Sequence, residues 1–181
     1  MIHTNLTNIQ EAQKTVSSLR WEHWRSEVVF SPQWLFMIVS LTILIILWVR
    51  IVDKTRLKNI LLFGTISLLI VTVLDTLGGE LQLWEYPYMV LPWGPRIICI
   101  DMMISIIFMV IYQYARQWIN FIISAIVIAV CFAFILEPIA IKMQIYKPYE
   151  WKSFYSLPIY IFLMIMIRLI VDKVLKIEST R

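Results

Sequence analysis

The chain has 181 residues, of which 60% are apolar and only 15% are charged, and its mean hydropathy is +0.78. A soluble domain is closer to half apolar and a quarter charged, so this composition argues against a water-soluble protein. The net charge of +4 comes without the clustered basic stripe that nucleic-acid binding needs, and we expect no nucleic-acid partner.

The first 32 residues are predicted to form an N-terminal interfacial amphipathic segment, followed by a transmembrane domain over residues 33–181. Thr7 and Gln10 have the spacing of a capping box, and apolar residues recur after them at helical intervals. Trp21 and Trp24 are the residue type that anchors helices at membrane surfaces. A plain tail, or a helix that caps the bundle, is the alternative.

Five apolar runs are each about 20 residues long, which is the length that crosses a bilayer as a helix. Ser31 and Pro32 open the first with a helix cap and a proline at the first helical position. The sequence therefore predicts an all-α, multi-pass transmembrane helical bundle of about five spans. They lie near Gln33–Val52, Leu57–Thr76, Pro95–Gln113, Trp118–Leu136 and Ser156–Asp172.

The orientation follows from the contrast between the first two connections. The connection after the first span carries Arg50, Lys54, Arg56 and Lys58, whereas residues 77–94 on the opposite side carry no Lys or Arg. Basic loops favour the cytoplasm, so we expect an extracytoplasmic N-terminus and a cytoplasmic C-terminus in a cell membrane.

Two connections on the predicted outer side resemble each other. Residues 75–84 and 137–146 each begin with an acid and end, nine residues later, with an aromatic residue, and Gln82 aligns with Gln144. The pattern predicts a helix–loop–helix unit used twice after the first span, with both copies related by an axis along the membrane normal. Chance similarity between two aromatic loops is the alternative.

Three acids lie in or at the ends of apolar runs: Asp75, Asp101 and Glu137. A charged group in the hydrocarbon costs about 2.5–3.5 kcal/mol on insertion scales, so such acids normally face the bundle interior. We predict an acidic, aromatic-lined pocket on the extracytoplasmic side, with these acids also the candidate catalytic residues. Its ligand-binding residues would be Asp75, Trp84, Tyr86, Arg96, Asp101, Glu137, Tyr146 and Trp151.

The alternative is a purely structural role, in which the aromatic residues form ordinary interfacial belts and Asp75 and Glu137 only end their helices. Asp101 shares a helix face with Ser105, Phe108 and Tyr112, which favours an inward position. Arg168, near the cytoplasmic end of the last span, is expected to extend to the lipid headgroups.

Metal and cofactor sites are not expected. The two histidines, His3 and His23, precede the first span, and the two cysteines, Cys99 and Cys131, lie within apolar runs. No metal-ligand spacing and no phosphate-binding loop occurs in the sequence. We therefore predict no metal and no cofactor.

The sequence resembles a family of uncharacterised small bacterial membrane proteins with five predicted spans. The resemblance implies a fold and no particular activity. The residues that carry it are Asp75 followed by Trp84-Glu85-Tyr86, Asp101, Tyr112-Gln113-Tyr114 with Trp118, Glu137-Pro138, Tyr146, and Trp151 followed by Tyr155-Ser156.

A weaker resemblance connects Asp75 and Trp84-Glu85-Tyr86 with the membrane domains of the lycopene cyclase type. That family has a Pro-x-Glu-Glu motif at the following position, where this chain has Leu91-Pro92-Trp93-Gly94. The acid pair that would protonate an isoprenoid is therefore missing.

Three functions remain open at this point. The acids could bind or transport a cation, a proton or a membrane-associated ligand, and transport by so few helices would favour a homodimer. They could serve as a general acid of a membrane-embedded enzyme that acts on an isoprenoid or lipid. The protein could instead be a structural or sensing subunit of a membrane complex. The lipid bilayer is the partner common to all three.

Overall fold

The computed structural model describes residues 5–92 and 99–179, with side chains described up to Ile177. Within these residues the chain is all-α apart from one ribbon of two short strands. Helical π turns at Trp24–Val28 and Phe132–Leu136 and a 3₁₀ turn at Lys54–Arg56 join some of the elements. The helices are α1 Leu6–His23, α2 Pro32–Ile51, α3 Leu57–Glu80, α4 Ile100–Tyr114, α5 Trp118–Cys131, α6 Glu137–Lys142 and α7 Ser153–Ser179, and the strands are β1 Trp84–Glu85 and β2 Lys147–Pro148.

Four helical segments in the described part of the chain are long and apolar enough to cross a membrane. They have mean hydropathies of 2.1 to 2.8 and cover Pro32–Ile51, Lys54–Glu80, Trp118–Lys142 and Ser153–Ile177. Helix α4 is also apolar but has only 15 described residues. The start of the predicted third span, at Pro95, lies outside the described residues.

The N-terminal segment is helical, as predicted, but it begins differently. The helix starts at Leu6, and Asn5 at its N-cap makes no side-chain capping bond, so the prediction of a capping box at Thr7 was wrong. All of α1 up to Arg20 is exposed, and the segment is held at its end by Trp24, whose indole N–H donates to the carbonyl of Val90 (3.2 Å). The indole of Trp34 in α2 donates to the same carbonyl (3.1 Å).

The start of α2 follows the sequence prediction closely. The hydroxyl of Ser31 accepts a hydrogen bond from the backbone N–H of Trp34 (3.2 Å), and Pro32 occupies the first helical turn. Both features satisfy or remove donors that a helix start would otherwise leave without a partner.

The core lies where α3, α4, α5 and α7 pack together, and α2 lies beside α4 at the edge. Large side chains without solvent exposure fill the centre, and Asp101, Ser105, Phe108 and Tyr112 are all at most 4% exposed, which confirms the predicted inward face of α4. The central side chains are Phe63, Phe108, Phe121, Met164 and Ile167.

Three helices extend further than their predicted spans, and two of the extensions carry the helix past an acid. Helix α7 covers Ser153–Ser179, where Ser156–Asp172 was predicted. Helix α3 continues to Glu80, five residues beyond Asp75. The helical segment that begins at Trp118 continues past Pro138 to Lys142, because the π turn at Phe132–Leu136 widens the backbone just before the proline. A proline ring would otherwise collide with the carbonyl four residues earlier.

Helices α3 and α6 end with the same turn. Gln82 and Gln144 both have a left-handed backbone, with φ of 55° and 59°. The N–H of the following residue bonds back across the turn in both, from Leu83 to the carbonyl of Gly78 and from Ile145 to that of Ala140 (2.9 Å each). This is the Schellman arrangement, which reverses the chain sharply at a helix end.

The left-handed position in these turns gives a stability prediction. Replacing Gln82 or Gln144 by Gly should stabilise the protein by up to about 1 kcal/mol, because glycine adopts positive φ without steric cost. Valine at either position should destabilise it, since a β-branched residue is strained there. Thermal unfolding of the purified protein in detergent checks both signs, and equal effects of Gly and Val would contradict the turn.

The bundle has two distinct ends. We use "ribbon end" for the end that carries β1 and β2, and "basic end" for the end that carries residues 50–58, 115–117 and 168–177. Helix α3 runs from the basic end to the ribbon end, and so does the helical segment from Trp118 to Lys142.

Arg168 joins three elements at the basic end and does not extend to the headgroups, so that prediction was wrong. It is only 6% exposed, and its guanidinium donates to the carbonyls of Ala115 (3.1 Å), Arg116 (2.5 Å) and Gln117 (3.5 Å). The central carbon of its guanidinium group lies 4.4 Å from the ring centre of Trp118. Arg168 thereby supplies donors to the backbone carbonyls of the connection between α4 and α5.

Candidate functional site: an acid–aromatic cluster at the ribbon end

Asp75 is the best-defined polar group at the ribbon end. Its side chain is 7% exposed, and one carboxyl oxygen, Oδ1, accepts two hydrogen bonds. The indole N–H of Trp84 donates over 2.9 Å and the hydroxyl of Tyr86 over 2.8 Å. Because both donors come from the loop after α3, the loop fixes the orientation of this carboxyl group.

Gly78 makes this arrangement possible. It is buried one turn after Asp75, and a Cβ atom at this position would collide with the six-membered ring of Trp84. The Schellman turn at Gln82 brings the chain back along α3, and the missing side chain leaves room for the indole. The position of Trp84 therefore depends on local backbone geometry as well as on its hydrogen bond to Asp75.

The ribbon ties the two connections together. Trp84 pairs with Pro148 and Glu85 with Lys147 in antiparallel register. The ammonium of Lys147 lies 3.2 Å from the carboxylate of Glu85. The N–H of Tyr149 also donates to the carbonyl of Leu83 (2.9 Å). The loop that follows α3 and the loop that follows α6 are thus one structural unit.

Aromatic rings from both loops surround the Asp75 contacts. The ring of Trp84 meets that of Trp151 edge to face at 4.8 Å between centres, and Tyr86 lies 5.5 Å from Tyr146. Tyr155 continues the row beyond Trp151, at 5.7 Å. The rings form an aromatic wall to which both connections contribute.

Asp101 lies near the start of α4 and is only 1% exposed. Its Oδ2 atom accepts a hydrogen bond from the hydroxyl of Thr72 in α3 (3.0 Å). Thr72 is one turn before Asp75, and Ser105, one turn after Asp101, is also buried. Polar groups therefore continue from Asp75 into the interface between α3 and α4.

Glu137 starts α6 and belongs to the second connection. Its Oε1 atom lies 3.5 Å from the hydroxyl of Tyr160 in α7. The side chain of Ser156 adjoins the same carboxyl group and accepts a hydrogen bond from the indole N–H of Trp151 (2.8 Å). Glu137 thus contacts the aromatic donor Tyr160 directly and is connected to Trp151 through Ser156, whereas both aromatic donors of Asp75 contact it directly.

Two loop tyrosines of this group, Tyr86 and Tyr146, are strongly affected by burial and by the nearby acids. Burial raises the pKa of the Tyr86 hydroxyl well above its usual value, and Asp75, Tyr160 and Asp101 raise it further. Burial also raises the pKa of Tyr146, with added contributions from Glu137 and Asp75. Both phenols therefore stay protonated, and so remain hydrogen-bond donors, over the physiological pH range.

The structure brings most of the residues that were predicted for the site into one group. We use "acid–aromatic cluster" for Asp75, Trp84, Tyr86, Asp101, Glu137, Tyr146, Trp151 and Tyr160. Arg96, the proposed basic partner, lies outside the described residues. Tyr160 and Ser156 were missed, because each is distant in sequence from its partner acid and has no local motif.

Among the described residues, no group of three or more His, Cys, Asp or Glu side chains is arranged to hold a metal ion. The Asp75 carboxyl instead accepts from aromatic N–H and O–H donors, and Asp101 accepts from the hydroxyl of Thr72. Carboxylates beside aromatic faces are an arrangement that can attract organic cations.

Comparisons with protein-family models, with curated proteins and with solved structures found no match for this chain.

Proposed function

We propose that the protein is a five-span integral membrane protein of the cell membrane whose acid–aromatic cluster binds a cationic ligand from the ribbon end. The fifth crossing would be α4. Since α3 ends at the ribbon end and α5 starts at the basic end, the chain must return through α4. The amide of Gln113, near the end of α4, donates to the carbonyl of Ile51 at the end of α2 (2.9 Å), which supports this path.

The duplicated unit is part of the same proposal. The two connections end their helices with the same Schellman turn. The ribbon pairs Glu85 with Lys147, which are 62 residues apart. Asp75 and Glu137, the first residues of the two similar segments, are separated by the same 62 residues. A pair of equivalent positions that face each other is what a twofold axis produces. These observations favour an internal repeat with its axis through the ribbon, and a cluster to which both copies contribute.

The observation that carries the binding proposal is the buried Asp75 carboxyl, held by Trp84 and Tyr86 beside aromatic rings from both loops. A carboxylate supplies charge, and aromatic faces supply the additional attraction that organic cations need. With the predicted orientation, the ribbon end would be extracytoplasmic, because the basic end carries the Lys- and Arg-rich loops.

Binding is favoured over conduction through the protein. The polar groups that begin at Asp75 reach Ser105 and Ser67, and the next layer toward the basic end contains Phe63 and Phe108, both without exposed surface. A cation that reached the cluster would meet an apolar core beyond it. A bound cation would therefore have to enter and leave by the ribbon end.

The test is the affinity for a water-soluble quaternary ammonium ion, tetraethylammonium, measured through the intrinsic tryptophan fluorescence of the purified protein in maltoside detergent. Asp75→Asn should weaken binding by about tenfold or more, which corresponds to the loss of one charge–charge contact. Asp101→Asn should weaken it less, because Asp101 lies deeper. The matched control is Glu150→Gln, an exposed acid of the second loop, which should leave the affinity unchanged.

Each other outcome contradicts the binding proposal in a defined way. Equal affinity in Asp75→Asn and wild type would remove the cluster from ligand binding. A lipid extract that differs between cells with wild type and with Asp75→Asn, seen by mass spectrometry, would favour the membrane-embedded enzyme with Asp75 as general acid. Absence of both effects would favour a structural or sensing subunit.

A further inference from the structure

The basic end carries a large excess of positive charge. Residues 50–58, 115–117 and 168–177 contain eight Lys and Arg side chains and two carboxylates, Asp53 and Asp172. The ribbon end differs, since its loops from Glu80 to Pro92 and from Lys142 to Lys152 contain three acids and three lysines. The two ends therefore present different electrostatic surfaces.

Arg116 pairs with the carboxylate of Asp53 at the basic end, and Arg56 lies near enough to affect its charge. A guanidinium nitrogen of Arg116 lies 3.4 Å from Oδ2 of Asp53, while the other oxygen of Asp53 accepts hydrogen bonds from Thr55. Hydrogen bonding by Thr55, followed by the charges of Arg116 and Arg56, lowers the pKa of Asp53. One carboxylate therefore offsets part of the charge of two nearby arginines, which leaves net positive charge at this position.

Arg56 and Arg116 both lie beside the ends of apolar helices. Arg56 donates to the carbonyl of Gln113 (3.2 Å), so its guanidinium is anchored where α4 ends. The side chain of Arg116 is 68% exposed and belongs to the short connection between α4 and α5. Trp118, 38% exposed, follows it at the start of an apolar helix. Arg168 is committed to backbone carbonyls and is buried.

We propose that Arg56 and Arg116 bind the phosphate group of an anionic phospholipid at the basic end of the bundle. The planar guanidinium group matches phosphate oxygens with paired N–H donors, which a lysine cannot do. The site lies directly after apolar helices, so the acyl chains of the lipid would run along exposed apolar residues of α2 and α5 such as Leu47 and Ile119. A zwitterionic lipid carries an additional cation that the surrounding Lys and Arg side chains would repel.

Native mass spectrometry tests this proposal on protein released from nanodiscs that contain equal amounts of phosphatidylglycerol and phosphatidylcholine. Wild type should retain phosphatidylglycerol preferentially. Arg116→Gln should lower that preference by about fivefold, the effect expected for one basic residue near an anionic lipid surface. Arg56→Gln should also lower the preference for phosphatidylglycerol. The melting temperature of this variant shows whether losing the hydrogen bond to Gln113 also destabilises the protein.

Lys142→Gln is the matched control, because it removes one exposed positive charge from the ribbon end. An equal loss of preference in Lys142→Gln and Arg116→Gln would show a general charge effect and overturn the site. So would an unchanged preference in Arg116→Gln. If inorganic phosphate stabilises the delipidated protein as strongly as phosphatidylglycerol does, the site binds free phosphate and the lipid proposal fails.

Discussion

Arg168→Met should destabilise the protein by about 3 kcal/mol, the largest loss that we expect from a single change outside the acid–aromatic cluster. Methionine keeps much of the apolar stem of arginine but has no donor for the carbonyls of Ala115, Arg116 and Gln117. Those carbonyls lie where α4 and α5 meet, and Arg168 donates to all three of them. The carbonyl of Gln117 also accepts from the backbone N–H of Phe121 (3.0 Å), so the loss falls mainly on Ala115 and Arg116. Unfolding by sodium dodecyl sulfate in mixed micelles measures the change.

Two further variants separate the hydrogen bonds from the charge of Arg168. Arg168→Lys keeps the charge and can still reach one carbonyl, so it should recover only part of the loss. The carboxylate of Asp172 lies 3.7 Å from the Arg168 guanidinium, and the Asp172 side chain is 41% exposed. Asp172→Asn should therefore cost well under 1 kcal/mol of stability, because water screens the pair. A larger effect of Asp172→Asn than of Arg168→Met would show that the ion pair, and not the carbonyl contacts, is what matters.

The helical architecture could be predicted from the sequence because hydropathy and helix-end signals act locally. The run from Gln33 to Val52 and the cap at Ser31 needed no tertiary information, and the structure places that helix within one residue of its predicted bounds. The helix ends beyond Asp75 and beyond Glu137 were less predictable. A proline at 138 normally ends a helix, and only the π turn before it lets the helix continue.

The cluster was predictable in kind but not in its pairing. Acids in apolar runs and aromatic loop residues marked the right positions, since intramembrane acids need partners. Which donor meets which acid depends on the turn at Gln82, on the space above Gly78 and on the register of the ribbon. None of these can be read from periodicity, and Arg168 was misassigned because the carbonyls that it binds are more than fifty residues away.

Gly78→Ala should disrupt the acid–aromatic cluster without removing any of its polar groups. The added methyl group would overlap the ring of Trp84, whose position is fixed by the turn and by the hydrogen bond to Asp75. The indole must move, and we expect destabilisation of about 1–3 kcal/mol, the usual cost of overpacking. Alanine is the better helix former, so propensity alone would give the opposite sign.

Gly79→Ala is the matched control, because the same substitution is made one residue further along α3 at a half-exposed position. It should leave the tryptophan emission spectrum and the affinity for tetraethylammonium unchanged. Gly78→Ala should shift the tryptophan emission. It should also lower the affinity for tetraethylammonium toward that of Asp75→Asn, since the hydrogen bond from Trp84 to the Asp75 carboxyl would be lost. If Gly78→Ala lowers stability but keeps full affinity for tetraethylammonium, the role of Trp84 is to support the fold of the loop. Cation recognition would then depend on the Asp75 carboxyl group and not on its hydrogen bond from Trp84.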